Sequence, residues 1–366
     1  MKILSLYDGM ACGMLAMQKA DIPVDRYVAY EIDKYAVQTS KHNFPMIEHM
    51  GDVFGADFKQ YEGFDFVIGG SPCTYWSIAQ KNNRETEASG MGWELFSQYV
   101  RAIREVKPRF FVYENNKSMS KQIRASIDEA FGFEAVCINS ALVSAQNRQR
   151  LYWVGKRNAD GTYSKVPVEQ PEDLGILLRD VLDNAVAWQD KAYAYTTRCQ
   201  AATIEDTLTR HRHTMCGEPV NLDRIHGLES NDSYIQYDLT GKSHKSQDQR
   251  AHYPGSKHGT LNASSTESKT GVIEAVQQTV DGQPIYEVKD GMITIKGKQY
   301  PIKLVDGSYI IRKLTVTECM RLQTVPEWYE WPVSNSQAYK MLGNGWTVDV
   351  IVHLLKATQE KSYERF

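Results

Sequence analysis

Five short apolar runs in the first 116 residues, separated by stretches of helical period, constrain this chain more than any other feature. Residues 3–7, 26–30, 64–68 and 109–113 read as strands, and a shorter strand ends at Gly51-Asp52. Apolar residues recur at helical spacing over 14–19, 33–42, 91–105 and 120–130. Asp33 is placed to cap the second of these helices. Two further strands follow at 136–140 and 151–154. Such alternation predicts an α/β fold, with a mostly parallel sheet covered by helices on both faces. Ligands of open α/β sheets bind at the carboxyl ends of the strands.

Each of those ends carries a distinctive residue. The first run leads into the turn Asp8-Gly9-Met10-Ala11-Cys12-Gly13, the second into Glu31, the third into Asp52 and the fifth into Glu114. The fourth leads into Gly69-Gly70-Ser71-Pro72-Cys73. There, glycine lets backbone approach a ligand, Pro72 stiffens the turn, and a single thiol is presented. Alone, Cys73 reads equally well as a nucleophile or as a buried structural cysteine. Four further polar or flexible features on the same sheet edge favour the nucleophile.

A glycine-bearing turn followed about 20 residues later by an acid is the pattern of a nucleotide-type cofactor site. Glu31 is placed to accept from ribose hydroxyls, Asp52 from an adenine amino group, and Tyr7 to lie against the adenosine. Only Gly9 and Gly13 are present in the turn, so a full G-x-G-x-x-G is missing. Pyrophosphate needs close backbone contact along such a turn. The pattern therefore suits a phosphate-free cofactor such as S-adenosylmethionine, with a nicotinamide dinucleotide as the alternative.

A net charge of −3 gives no overall basic signature, although a local basic face is compatible with it. The six cysteines, at 12, 73, 137, 199, 216 and 319, show no CxxC spacing. That argues against a zinc site or disulfide framework and for reduced thiols in the cytoplasm. No cleavable signal pattern and no apolar run of the ~18 residues needed to span a bilayer is present. The expectation is a cytoplasmic monomer without metal or membrane association.

In chain order, Leu6-Tyr7-Asp8-Gly9, Glu31, Gly51-Asp52, Ser71-Pro72-Cys73, Glu114-Asn115-Asn116, Gln146-Asn147-Arg148-Gln149-Arg150, Thr317-Glu318-Cys319-Met320-Arg321-Leu322-Gln323 and Gly343-Asn344-Gly345-Trp346 resemble the motif series of the cytosine-C5 DNA methyltransferases. The resemblance covers nearly the whole chain and is of the prokaryotic or phage type. Val24-Asp25-Arg26-Tyr27 and Thr196-Thr197-Arg198 are similar to the de novo eukaryotic branch. Departures are the glycine-poor first turn, Asn116 where Val is more frequent, and Gly345 where Ser is frequent.

The resemblance implies a Rossmann-like S-adenosylmethionine-dependent methyltransferase sheet with a smaller, irregular, β-rich target-recognition domain. Residues 1–156 would form the catalytic and cofactor-binding domain, 157–310 the recognition domain, and 311–366 a segment returning to the first. The implied reaction is methylation of C5 of a cytosine flipped out of duplex DNA, through a covalent bond from Cys73 to C6. Glu114 would share a proton with N3 of the base. Arg148 and Arg150, two residues apart on a predicted strand and so on one side of it, would clamp the base, a phosphate or Glu114. Implied cofactor contacts are Tyr7, Asp8, Gly9, Met10, Cys12, Glu31, Ile32, Asp52, Val53, Gly70, Pro72, Asn344, Gly345 and Trp346. Residues 74–92 would form a lid hinged at Gly90-Met91-Gly92, with Ser77 and Arg84 touching DNA. Thr197, Arg198, Arg210 and Arg212 would touch DNA from the recognition region. Double-stranded DNA is the implied partner, and a cognate restriction endonuclease a further one. The same chemistry on tRNA, or a non-catalytic DNA-binding relative, are the alternatives.

Beyond residue 154 the chain turns polar and irregular. A short helix is expected over 174–182, and a β-meander over 285–311 with turns at Asp281-Gly282, Asp290-Gly291 and Asp306-Gly307. A helix at 315–323 should begin with a Thr315–Glu318 capping box. Helices over 335–341 and from 346 to 356 complete the chain.

Overall fold

The computed structural model describes residues 1–78, 84–196, 203–210, 213–220, 279–280 and 283–359. The strands β1 (Lys2–Leu6), β2 (Arg26–Tyr30), β3 (Glu48–His49), β4 (Phe66–Gly69) and β5 (Phe110–Asn116) are parallel neighbours in the order β3-β2-β1-β4-β5. Then come β6 (Val136–Asn139), β7 (Gln146–Asn147), β8 (Gln149–Arg157) and β9 (Tyr163–Lys165). β8 lies between β5 and β6, antiparallel to both, and β9 pairs with β8. The chain moves outward from β1 through β2 to β3, then returns to place β4 on the other side of β1. That reversal makes the gap between β1 and β4 the switch point where an α/β sheet opens a crevice.

The central strands are buried on both faces, which is why they read as continuous apolar runs. Ile3, Phe66, Ile68 and Val112 face one apolar cluster, while Leu4, Leu6, Val67 and Phe111 face another. The helices are α1 (Cys12–Lys19), α2 (Lys34–Asn43), α3 (Gly90–Val106), α4 (Lys121–Phe131), α5 (Ile204–Arg210), α6 (Val316–Leu322), α7 (Asn335–Asn344) and α8 (Val348–Gln359). α1 and α8 cover the first face, and α3 and α4 the second. Asp33 caps α2 by accepting from Tyr35 N, and Thr315 with Glu318 forms the capping box of α6.

Three local expectations change. The third strand, short as expected, ends at His49 rather than at Gly51-Asp52. The helix expected over 174–182 is a single 3-10 turn, Leu178–Val181. Glu114 lies inside its strand, because polar Asn115 and Asn116 continue β5 by pairing with Leu151 and Arg150 of β8.

The described residues pack as two compact units, Met1–Cys216 with Lys313–Phe366, and Gly217–Arg312. The described part of 157–216 thus packs with the large sheet, including β10 (Ala192–Tyr193), which pairs with β7. The second unit is built on an antiparallel sheet. Its strands are β11 (Met215–Pro219), β12 (Thr279–Val280), β13 (Gln283–Lys289), β14 (Met292–Ile295), β15 (Lys298–Pro301) and β16 (Gly307–Lys313), in the order β11-β16-β13-β14-β15 with β12 on β13. Asp290 and Gly291 both take positive φ, the geometry of a tight hairpin turn, between β13 and β14. Asp281-Gly282 lies outside the described residues. Among those residues no helix is long and apolar enough to cross a membrane.

Gly69 fixes how closely β4 can approach β1. A Cβ there would stand 2.5 Å from the Leu6 carbonyl oxygen and 3.1 Å from the Tyr99 ring. Tyr99 itself is immobilised, its hydroxyl donating to Val67 O at 3.0 Å and Val112 O at 2.8 Å. Gly69→Ala is therefore expected to lower the unfolding free energy by about 1–3 kcal/mol. Urea titration should show a lower midpoint with an unchanged slope.

Candidate active site

The turn after β1 reaches its shape without the missing glycines. Tyr7, Gly9 and Ala11 all take left-handed φ, at 59°, 60° and 63°. For the two side-chain-bearing residues this costs about 1–2 kcal/mol each, so neighbours must hold them. The Tyr7 hydroxyl donates to Leu95 O at 2.7 Å, Gly9 N donates to Glu31 Oε2 at 2.9 Å, and the Tyr329 hydroxyl donates to Met10 O at 2.6 Å. Glu31 Oε1 accepts from the backbone N–H groups of Ile32 and Asp33, both at 2.8 Å. Asp8 is buried, with Oδ1 accepting from Ser5 Oγ at 2.6 Å and Tyr27 Oη at 2.7 Å. Its Oδ2 is buried without a donor. Burial, with a smaller contribution from Glu31, pushes the Asp8 carboxyl up to about 6, against the pull of the two hydroxyls.

A cavity of about 250 Å³ opens at the β1–β4 switch point. Its walls include the Tyr7–Cys12 turn, Glu31, the Gly70–Thr74 turn, Glu114, and Gly343 to Trp346 from the far end of the chain. All four expected catalytic residues line it, as do the expected cofactor residues other than Ile32, Asp52 and Val53. Val53 is buried in the second apolar cluster, and its carbonyl accepts from Arg101 and from Ala56 N. Ile32 is exposed, and Asp52 holds Phe54 N with one oxygen. Asp33 and Lys340, 2.7 Å apart, also line the cavity. Sequence reasoning saw Asp33 as a helix cap and had no signal for its pairing with a residue 307 positions away.

Cys73 is half-buried at the cavity wall. Its turn is tied to the polar end of β5: Ser71 Oγ meets Tyr113 Oη at 2.6 Å, and Asn115 donates to Ser71 O at 3.2 Å. Asn116 reaches Cys73 O at 3.5 Å, so the departure from Val adds a polar tether. Trp76 and Ser77 donate their backbone N–H to the same oxygen. Trp76 is wholly buried, and its indole N–H donates to Glu85 Oε2 at 3.0 Å. The second wall cysteine, Cys12, is buried, which pushes its thiol up to about 12 and keeps it protonated at neutral pH.

Arg150 Nε lies 3.0 Å from Glu114 Oε1, and the Trp346 indole N–H donates to Glu114 Oε2 at 2.9 Å. Arg148 behaves differently from the expected strand-face partner, because it sits at the break between β7 and β8. Its buried guanidinium donates to Tyr195 O at 2.9 Å, Gly343 O at 3.3 Å and Gly345 O at 2.8 Å. Burial and Arg150 bring it down to about 10, so it stays charged at neutral pH. Arg84, expected at a phosphate, donates to Trp76 O and Ser118 O, and Arg210 pairs with Asp206. Ser77 is partly exposed beside the Cys73 turn. Thr197, Arg198, Arg212 and residues 79–83 of the expected lid lie outside the described residues. Among the described residues no group of three His, Cys, Asp or Glu side chains could hold a metal ion.

A thiol, an arginine-paired carboxylate and a strained turn converge on one cavity at the switch point, where α/β proteins bind their ligands. Comparison with known proteins narrows this. The C-5 cytosine-specific DNA methylase family matches residues 1–360, and the chain belongs to it. An orphan methyltransferase of Bacillus phage SPR is 32% identical over 169 residues, 43% of this chain and 38% of that protein. The matched part of the chain thus spans well under half of that phage relative. Type II methyltransferase M1.ScrFI of Lactococcus lactis subsp. cremoris is 26% identical over 99% of this chain and 78% of its own length. The fold is similar to the S. pombe Dnmt2 methyltransferase, with a TM-score of 0.56 at 15% identity over 99% of each chain. It is also similar to a putative DNA modification methyltransferase encoded within an E. coli prophage, with a TM-score of 0.54 at 17% identity over 100% of each.

The buried Asp8 carboxyl makes stability depend on pH. Its folded value of about 6 exceeds the ordinary 3.8, so its ionised form destabilises the fold fully above pH 6 and not at all below about pH 4. Asp8→Asn keeps an acceptor for Ser5 and Tyr27 and removes the charge. The variant should match the parent near pH 4 and exceed it near pH 8 by on the order of 2–3 kcal/mol in urea unfolding.

Proposed function

We propose that the protein methylates C5 of a cytosine drawn out of duplex DNA, using S-adenosylmethionine and Cys73 as the nucleophile. The observation that carries this reading is the convergence of Cys73 and the Arg150–Glu114 pair on the cavity walled by the Tyr7–Cys12 turn.

The residues fit the cofactor. Asp8 Oδ2 is a buried acceptor lacking a donor, which matches the ammonium of an amino-acid moiety. Glu31 already accepts three backbone N–H bonds. A carboxylate has about four acceptor sites, so Glu31 keeps room for one ribose hydroxyl rather than the two expected from sequence. Asp52 and the exposed Phe54 would lie toward the base of the adenosine. When bound, S-adenosylmethionine supplies an electrophilic methyl group on a sulfonium.

C5 of cytosine is a poor nucleophile until a thiolate adds at C6. In this reading the Cys73 sulfur forms the C6–S bond with its own electron pair, and the ring's displaced electrons move toward N3 and C5. Glu114 holds a proton at N3 and so neutralises that charge. Arg150 orients Glu114 through Nε, while its Nη1 donates to Gln149 O. Arg148 holds the Gly343–Gly345 backbone that closes the cavity. After C5 is methylated, loss of the C5 proton restores the ring double bond and returns the C6–S electron pair to sulfur. A base inside a duplex cannot reach Cys73, so the target must leave the stack, at a cost of a few kcal/mol.

The test is trapping. A duplex carrying 5-fluorocytosine lacks the proton whose loss frees Cys73, so the protein with cofactor should form an adduct that survives denaturing electrophoresis. Cys73→Ala should form none, and Glu114→Gln should form it at least 100-fold more slowly. Absence of adduct with the parent protein would overturn the reading. Adduct on folded RNA but not on duplex DNA would transfer the same chemistry to tRNA.

A further inference from the structure

Trp346 does more at this site than wall the cavity. Its indole N–H donates to Glu114 Oε2 at 2.9 Å while Arg150 holds Oε1 at 3.0 Å, so the carboxylate is gripped at both oxygens from two distant parts of the chain. The space for this grip depends on Gly70. A Cβ at that position would stand 2.8 Å from Glu114 Oε2 and 3.5 Å from Trp346 Nε1.

Trp346 is itself fixed from both sides. Arg148 holds Gly343 O and Gly345 O just before it. Just after it, Thr347 Oγ1 donates to Gln323 Oε1 at 2.8 Å and accepts from Ser140 Oγ at 2.9 Å. The backbone on either side of Trp346 is thus held in place, and the indole packs against the apolar cluster on the first face of the sheet.

We infer that Trp346 is a positioning residue for the base-binding carboxylate: its N–H aims Glu114 by holding Oε2. This rests on the reading of Glu114 as the partner of N3. One side chain then touches both the cofactor cavity and the proton-holding group, coupling the two halves of the reaction. Both oxygens carry N–H donors before substrate arrives, so protonating N3 requires Glu114 to share or give up one of them. Arg148 and Tyr152 from the β7–β8 segment and Tyr113 on its own strand also interact electrostatically with Glu114, and Cys73 lines the same cavity.

Trp346→Phe removes the N–H and keeps an aromatic wall. The experiment measures adduct formation on 5-fluorocytosine duplex against pH, in single turnover at saturating cofactor, with cofactor affinity taken separately by calorimetry. Glu114→Gln identifies the descending limb that belongs to Glu114. Losing one charge-assisted donor should move that limb up by about one pH unit and leave cofactor affinity within about threefold. A limb that stays in place, with only affinity or stability reduced, overturns the inference. If Glu114→Gln reacts at the parent rate, the Glu114 reading fails, and the inference falls with it; the Phe variant alone does not produce that result. A second measurement uses the parent fold: the indole ¹⁵N–H resonance of Trp346, assigned among the seven tryptophans, should move upfield and exchange faster in Glu114→Gln. No change there also overturns it.

Discussion

The carboxylate of Glu114 is where the chain meets itself. β8 brings Arg150, the C-terminal segment brings Trp346, and the turn after β4 brings the bare backbone of Gly70 against it. None of these segments has a reason to adjoin the others in sequence. They are held together because β8 runs antiparallel between β5 and β6, placing Asn116 opposite Arg150. Arg148, two residues earlier, locks the backbone at Gly343 and Gly345. An arginine buried without a carboxylate would be costly, and the carbonyl oxygens that solvate it come from segments that must themselves be in place. Formation of the site is therefore coupled to closure of the fold.

What was legible in the sequence follows from the same logic. Strands buried on both faces declare themselves as apolar runs, so β1, β2, β4 and β5 could be read, and with them the sheet edge carrying Cys73 and Glu31. The capping box at Thr315 and Glu318 is local and was equally visible. Glu114 looked like a strand end because Asn115 and Asn116 are polar, yet antiparallel pairing with β8 extends the strand past it. The two arginines looked equivalent by spacing, but a break in the strand between them sends Arg148 into the backbone and leaves Arg150 at the carboxylate. The side-chain bond from Trp346 to Glu114 spans 232 positions, and no local pattern encodes it.

The paired residues of one type show how environment assigns roles. Asp8 and Glu31 stand at neighbouring strand ends, and Gly9 N lies on Glu31. Glu31 is surrounded by three backbone N–H groups, whereas Asp8 has one oxygen facing no donor, and its carboxyl is pushed up by burial. The first has most of its acceptor capacity filled by backbone, and the second has one oxygen without a donor. Cys12 and Cys73 differ in the same sense. Burial holds Cys12 as a thiol, while Cys73 stands half-exposed on a turn fixed by five polar tethers at Ser71 and its own carbonyl.

The first turn completes the argument about strain. Left-handed φ at Tyr7 and Ala11 is unfavourable for any residue with a side chain, and glycine would remove that cost. Tyr7 supplies what glycine lacks: a ring on the cavity wall and a hydroxyl anchored on α3 at Leu95 O. α3 in turn begins where Glu85 meets Trp76 and Gly92 N, directly beyond the Cys73 turn. The strained conformation of Tyr7 and the placement of the thiol thus rest on the same helix. A displacement of α3 would release both, which ties the shape of the Tyr7 end of the cavity to the position of Cys73.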